Sequence, residues 1–239
     1  MALKKQEEKL NQLTLKQQEL LQIISHDLSN PLSNISLATE LLEQEHGSSP
    51  VIKSIRKSVD MSIDLITSVR DMQRLGIKNP VLAPVSVREI IDDSFLVCKE
   101  RFVRKEIKFR SELENGEVKI LANAQVLNMS ILPNLFTNAI KFSDPGNTVQ
   151  VQVREEAGSI LIVVCDEGIG MPADALKHLF DIGKSKSRCG TQKETGTGFG
   201  MPLVKSAVET LGGSIHVTST ERRLGKAHGT TVTLSFPKA

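Results

Sequence analysis

Glycine and proline are spread so unevenly along this chain that its two parts cannot share one architecture. Residues 1–78 hold only Gly47 and Gly76 of the 16 glycines, and only Pro31 and Pro50 of the nine prolines. Breakers that sparse leave room for long helices, whereas the frequent turns of the rest demand short elements. A domain boundary is expected near Gly76–Pro80, giving residues 1–78 and 79–239.

In the first part, Leu3, Leu10, Leu13, Leu20 and Ile24 fall at heptad-like spacing, the pattern of a coiled coil, and Leu28, Leu32, Ile35 and Leu42 follow. His46-Gly47-Ser48-Ser49-Pro50 ends that helix and starts another: Gly stands past a helix end, Ser caps the next, and Pro opens it. The second helix carries Ile52, Ile55, Val59, Ile63, Ile66 and Val69. A two-helix hairpin buries too little to stand alone, so pairing of two chains into a four-helix bundle is expected.

The second part alternates. Ser86-Val-Arg-Glu89 is a capping box opening a helix to about Arg104. Ile107–Phe109 and Val118–Leu121 read as short strands, and 124–142 as a helix. Thr148–Val153 and Ser159–Cys165 read as strands paired across Ala157-Gly158. Helices over about 172–180 and 201–211, and strands over 214–219 and 230–236, complete a mixed α/β domain. Residues 181–199 are polar and patternless, which in a compact domain marks a functional or a disordered segment.

Composition narrows the function. With 39% hydrophobic and 24% charged residues the chain can bury a core. A net charge of +2 argues against a nucleic-acid footprint, and the absence of Trp and Tyr against base stacking. No apolar run approaches the roughly 18 residues of a membrane helix, and no signal peptide is expected. Cys98, Cys165 and Cys189 have neither disulfide nor metal spacing, so a reducing, cytoplasmic setting is expected.

Three clusters carry chemistry. Asp166-Glu-Gly168-Ile-Gly170 follows a strand, and its glycines let backbone approach a ligand while Asp166 offers an acceptor for an amine. Gly196-Thr-Gly198-Phe199-Gly200 precedes a helix, where free N–H groups and the helix dipole favour an anion. Asn134, Asn138 and Lys141 share one helical face, and two carboxamides with an ammonium suit a magnesium–phosphate group. Gly168-x-Gly170-x-x-Ala173 also fits a dinucleotide fingerprint. That fingerprint needs an acidic residue about 20 positions on, ending a strand, and here that position falls in the patternless segment.

The fourth feature is Ser25-His26-Asp27-Leu-Ser-Asn30-Pro31. At about 100° per residue, His26 stands roughly 200° from Ile24 and from Leu28, so it points away from the side those residues define. Asn30 shares its face. Asp27, adjacent, can orient the imidazole or take its proton, leaving a nucleophilic nitrogen. Pro31 predicts a bend just beyond.

In this order the motifs resemble the catalytic core of two-component sensor histidine kinases, over about residues 15–237. The first part resembles the dimerisation and histidine-phosphotransfer hairpin, with the histidine box at His26. The second resembles the GHKL-type ATP-binding domain, a two-layer α/β sandwich with a mixed sheet. Asn134–Lys141 matches the N box, Asp166–Gly170 the G1 box, Phe180 the F box and Gly196–Gly200 the G2 box. Gly229-Thr-Thr-Val-Thr matches the stretch near the end of that fold.

The resemblance implies a homodimer using ATP and Mg²⁺. His26 would accept the phosphoryl group, Asp27 would be its acid/base partner, and Asn30 would position water for dephosphorylating a response regulator. Asn138 would hold the metal, with Asn134 beside it and Lys141 at the phosphates. Asp166 would bind the adenine amine, with Thr231 nearby through water. Gly168, Gly170, Gly196, Gly198, Phe199 and Gly200 would line the nucleotide, and residues 181–199 would form the ATP lid, with Lys184, Lys186, Arg188 and Lys193 in reach of phosphates. The implied partners are a receiver domain and an upstream sensor. Two other readings compete: a regulator phosphatase using ATP as a conformational ligand, and a dimeric nucleotide-binding scaffold. Two departures stand out. Phe199 and Met201-Pro202 replace small aliphatic residues, and Pro133 falls inside an expected helix, at a cost of about 3 kcal/mol and a kink.

Overall fold

A computed structural model describes residues 2–47, 49–75, 80–113, 117–181, 190–192, 194, 198–222 and 228–239, with only the backbone of 2–22, 26, 57, 61, 64–65 and 68–75. The expected boundary at 76–79, the packing of the heptad leucines up to Leu20, and the orientation of the His26 ring lie outside the described residues. The chain divides into two compact units, Met1–Ile77 and Lys78–Ala239.

The first unit is a hairpin of α1 (Ala2–His46) and α2 (Pro50–Leu75). Gly47 takes the left-handed φ of 75° that ends α1. Ser49 Oγ accepts from the Ile52 N–H at 3.2 Å, and Pro50 opens α2. Near the turn, Arg56 Nη1 meets Glu43 Oε2 at 2.8 Å. The face of α1 that is buried differs from expectation. Ser25 and Thr39 are buried, with Val59 and Ile66 on α2. Ile24 is 50% exposed, Leu28 48%, Ile35 44% and Leu42 44%. Two antiparallel helices cover only one narrow stripe of each other, so the second apolar stripe of α1 stays open.

The second unit is two layers. A five-stranded sheet has the order β2-β4-β5-β7-β6, from β2 (Lys108–Leu113), β4 (Thr148–Glu156), β5 (Ser159–Asp166), β7 (Gly229–Pro237) and β6 (Ser214–Thr220). The β2–β4 pair is parallel and the other three are antiparallel, so the sheet is mixed. Ala157 and Gly158 both have positive φ, 50° and 81°, the mark of a tight hairpin turn matching the strand twist. Alternate residues Val149, Val151 and Val153 are buried, as are Val232, Leu234 and Phe236, and each such side chain is worth roughly 1.5–3 kcal/mol. On this buried face lie α3 (Val87–Arg104) against β2, α5 (Leu132–Phe142) against β4 and β5, and α7 (Gly200–Thr210) against β6. Phe95, Phe102, Phe109 and Phe136 clasp α3, α5 and β2, with Phe95 stacked on Phe109 at 4.3 Å. Ser86 caps α3, its Oγ accepting from the Glu89 N–H at 3.5 Å.

Three elements differ from expectation. The helix over 124–142 is broken into α4 (Ala124–Val126), a π-helical turn (Leu127–Ile131) and α5. Pro133 therefore follows directly on the π turn, whose wider bonding has already interrupted the α-helical ladder that a proline would break. The helix after the G1 motif is shorter, α6 (Ala173–Lys177), with a turn running on to Phe180. Ala83–Ser86 forms an unanticipated strand, β1, paired with β3 (Lys119–Ala122) in a small separate sheet that tolerates Pro84.

Candidate functional site

Asp166 ends β5, opposite Thr230 of β7. Its Oδ1 accepts from the Gly168 N–H at 2.9 Å and the Thr230 N–H at 3.1 Å. The carboxylate is thereby locked in one orientation. Burial pushes its pKa up to about 6, against the pull of those two N–H groups and of the His228 charge. His228 itself bonds the Gly168 carbonyl through Nδ1 at 2.6 Å. The next pair along the strands brings Thr231 Oγ1 to Cys165 Sγ at 3.5 Å.

The glycine arc is pinned on both sides. The Ile169 N–H donates to the Phe142 carbonyl at 2.9 Å, tying the arc to the end of α5. A methyl on Gly168 would lie 2.6 Å from that same oxygen, so no side chain fits. Gly170 has φ 64°, and a methyl there would collide with the Thr220 carbonyl. The Arg222 N–H reaches Ile169 O at 2.9 Å, and the Met171 N–H reaches Ser219 Oγ at 2.8 Å.

The other end of α5 faces the start of α7. Asn134 Nδ2 donates to Ser130 O in the π turn at 2.6 Å. That bond turns Oδ1 toward α7, where a methyl on Gly200 would lie 3.0 Å from Asn134 Oδ1 and 3.9 Å from Asn138 Nδ2. Gly198 has φ 78°, Phe199 precedes the first turn of α7, and the Leu203 N–H bonds the Phe199 carbonyl at 3.0 Å. Carboxamides of α5 thus stand against a helix N-terminus, whose unbonded N–H groups and dipole attract phosphate. Lys141 Nζ lies 4.8 Å from the Phe142 ring, and Lys205 Nζ of α7 lies 5.2 Å from Phe180. Gly196, Lys184, Lys186, Arg188 and Lys193 lie outside the described residues.

The fold therefore joins Asp166, Gly168 and Gly170 to α5 at Phe142, and Asn134 and Asn138 to Gly200. His26, Asp27 and Asn30 belong to the other unit, on α1, with Asp27 and Asn30 exposed and one turn apart. Sequence reasoning passed over His228, Lys105 and Glu194. Lys105 Nζ bonds Glu194 Oε1 at 2.5 Å and the Lys141 carbonyl at 2.9 Å. No spacing rule marks such residues, since their partners lie tens of positions away.

Residues 16–76 match the family model of the His Kinase A (phospho-acceptor) domain, and residues 123–239 that of the histidine kinase-, DNA gyrase B-, and HSP90-like ATPase. The chain is 28% identical over 229 residues to the circadian input-output histidine kinase CikA of Synechococcus elongatus, covering 92% of this chain and 30% of that protein. It is 27% identical over 244 residues to the sensor histidine kinase WalK of Bacillus subtilis, covering 97% of this chain and 38% of that protein. The chain thus spans less than half the length of either relative. Full-length ShkA in complex with AMPPNP shares the fold at TM-score 0.66 and 24% identity, over 92% of this chain and 46% of that one. The mycobacterial sensor histidine kinase MprB aligns at TM-score 0.53 and 25% identity, over 66% of this chain and 98% of that one. A phospho-acceptor helical hairpin followed by an ATPase domain of this kind places the chain among the two-component sensor histidine kinases, as a protein-histidine kinase catalytic core.

Proposed function

We propose that this core phosphorylates itself on His26 from ATP and passes the phosphoryl group to an aspartate of a response regulator. The observation that carries the reading is Asp166, held by two backbone N–H groups at the mouth of a glycine arc in the same chain as the His26 helix. A locked carboxylate is an acceptor for the exocyclic amine of adenine, and the start of α7 offers N–H groups to the phosphates.

In the reaction, a neutral ring nitrogen of His26 attacks the γ-phosphorus. A P–N bond forms, the bond to the bridging oxygen breaks, and ADP leaves with that electron pair. The ring proton passes to the neighbouring Asp27. The amide oxygen of Asn138 is the hard donor that suits Mg²⁺, with Asn134 beside it. When bound, the ion would neutralise phosphate charge. Lys141 would supply a further positive charge at the phosphates.

Asp27 and Asn30 are exposed one turn apart on α1, which supports a second role in which Asn30 would orient water against a phosphorylated regulator and the same helix would serve dephosphorylation. The half-exposed stripe of Ile24, Leu28, Ile35 and Leu42 supports a homodimeric four-helix bundle. Among the described residues no helix is long and apolar enough to cross a membrane, and ATP chemistry fits a cytoplasmic face. An upstream sensor would set the activity.

Incubation with γ-labelled ATP tests this reading. Wild type should acquire acid-labile, base-stable label, as a phosphoramidate does, and His26→Gln should bind ATP without acquiring it. Label that persists in His26→Gln, or that base removes, would place the acceptor elsewhere.

A further inference from the structure

Residues 190–192 and 194 form a turn on the end of α5, and a residue far off in sequence holds it there. Lys105, at the C-terminal end of α3, is only 5% exposed. Its ammonium donates both to Glu194 Oε1 and to the Lys141 carbonyl, at 2.5 and 2.9 Å. The turn closes on the same two groups. The Gly190 N–H donates to Glu194 O at 2.8 Å and the Gln192 N–H to Glu194 Oε2 at 2.7 Å. The Thr191 N–H donates to Lys141 O at 3.1 Å, and Thr191 Oγ1 to Ser143 O at 2.8 Å. A methyl on Gly190 would lie 2.6 Å from Lys141 O and 2.7 Å from Lys141 Cγ, so the turn lies flat on Lys141 itself. Burial raises the Glu194 pKa, but the Lys105 bond and two backbone N–H groups outweigh it and hold the carboxyl below its ordinary value.

An ion pair removed from water regains in attraction about what it loses in hydration, and an apolar pair of the same size would stabilise the fold at least as well. Stability alone gives no reason for a buried lysine here. What an ammonium has that an apolar side chain lacks is several donors at one point. Two of them fix the main chain of Lys141 and the turn that lies on it.

We propose that Lys105 is a positioning residue for the phosphate end of the nucleotide: through Glu194 and the Lys141 carbonyl it sets where Lys141 stands on α5. This rests on the ATP-site reading above. It predicts a defect graded by phosphate, because Lys141 is the group read above as meeting the phosphates, whereas the bonds that hold the Asp166 carboxylate go to Gly168 and Thr230 and not to this turn.

The test is displacement of a fluorescent ATP analogue from the full chain by Mg-ATP and by AMP. AMP keeps the adenine and a single phosphate. Lys105→Met and Glu194→Gln should each weaken ATP about tenfold, the worth of one charge-assisted hydrogen bond, and AMP less than about twofold. The double variant should lose no more than the worse single, since one interaction can be broken only once. Lys105→Arg keeps charge and donors and should stay within about threefold of wild type, although its planar fork fits less well. Glu194→Gln removes one charge from a partly exposed side chain, so it reads the effect without threatening the fold. Equal losses for ATP and AMP in Glu194→Gln, no loss for ATP, or additive losses in the double variant would overturn the proposal. A wild type that displaces with neither nucleotide overturns the ATP reading itself. A wild type that binds both, beside unchanged variants, overturns only the role of Lys105.

Discussion

Asp166 stands between two opposed influences. Burial raises its pKa to about 6 from an ordinary 3.8, while the Gly168 and Thr230 N–H groups and the His228 charge pull it down. Because the folded value lies above the unfolded one, the stability this group contributes is fully present below about pH 4 and is lost as pH rises through about 6. Nucleotide binding has the opposite sense, since the acceptor for an adenine amine is the carboxylate. ATP affinity should therefore fall about tenfold between pH 7 and pH 5, and calorimetric titrations across that range check it. Asp166→Asn should be flat with pH and roughly ten- to a hundredfold weaker at pH 7.5, for ATP and ADP alike, with or without magnesium. Asn138→Ala should behave differently. It removes an oxygen donor from a cation that demands near-octahedral geometry, so its defect should be largest for Mg-ATP and shrink in EDTA. A defect independent of EDTA would take the metal away from Asn138.

Between residues and the whole chain, the informative element is the π turn at Leu127–Ile131. There the Leu132 N–H bonds the Leu127 carbonyl, one residue farther back than in an α-helix. The wider turn resets the helix register, so that Pro133 follows where the α-helical ladder is already interrupted and Asn134 can bond Ser130. Pro133→Ala should accordingly change stability by less than about 1 kcal/mol, against the gain of about 3 kcal/mol expected if proline broke an uninterrupted α-helical ladder. Urea unfolding of the two proteins distinguishes these values. Gly170→Ala should cost roughly 2 kcal/mol or more in the same experiment, because alanine resists a φ of 64° and its methyl meets the Thr220 carbonyl. Helix α3 and the β4–β5 hairpin were legible beforehand because their signals are local: a capping box, two alternating runs and an Ala-Gly turn. The π turn was not legible, because residues 124–142 keep one apolar helical period across it and only packing against α3 and α7 decides where the register slips.

For the molecule as a whole, the open stripe on α1 is the feature with the largest consequence. Ile24, Leu28, Ile35 and Leu42 lie near heptad spacing and stay about half exposed beside α2. Burying the exposed half of each is worth roughly 0.7–1.5 kcal/mol, counted twice in a symmetric dimer. The full chain should be dimeric at micromolar concentration by light scattering, and Ile35→Asp should shift it toward monomer. A monomeric wild type would refute this. What the sequence by itself determined is the order of things along the chain: helices where breakers are absent, alternating strands where they are frequent, and glycine and asparagine clusters between them. Those features depend on a residue's close neighbours, so spacing reveals them. Only the tertiary structure decided which distant groups meet. Lys105 and Glu194 are separated by 89 positions, and His228 and Gly168 by 60. Such pairs arise from strand order and helix packing, and no local pattern encodes a partner that far away. The same holds for the buried stripe of α1: periodicity shows that a helix has an apolar side, but what lies against it is settled by the other helices present.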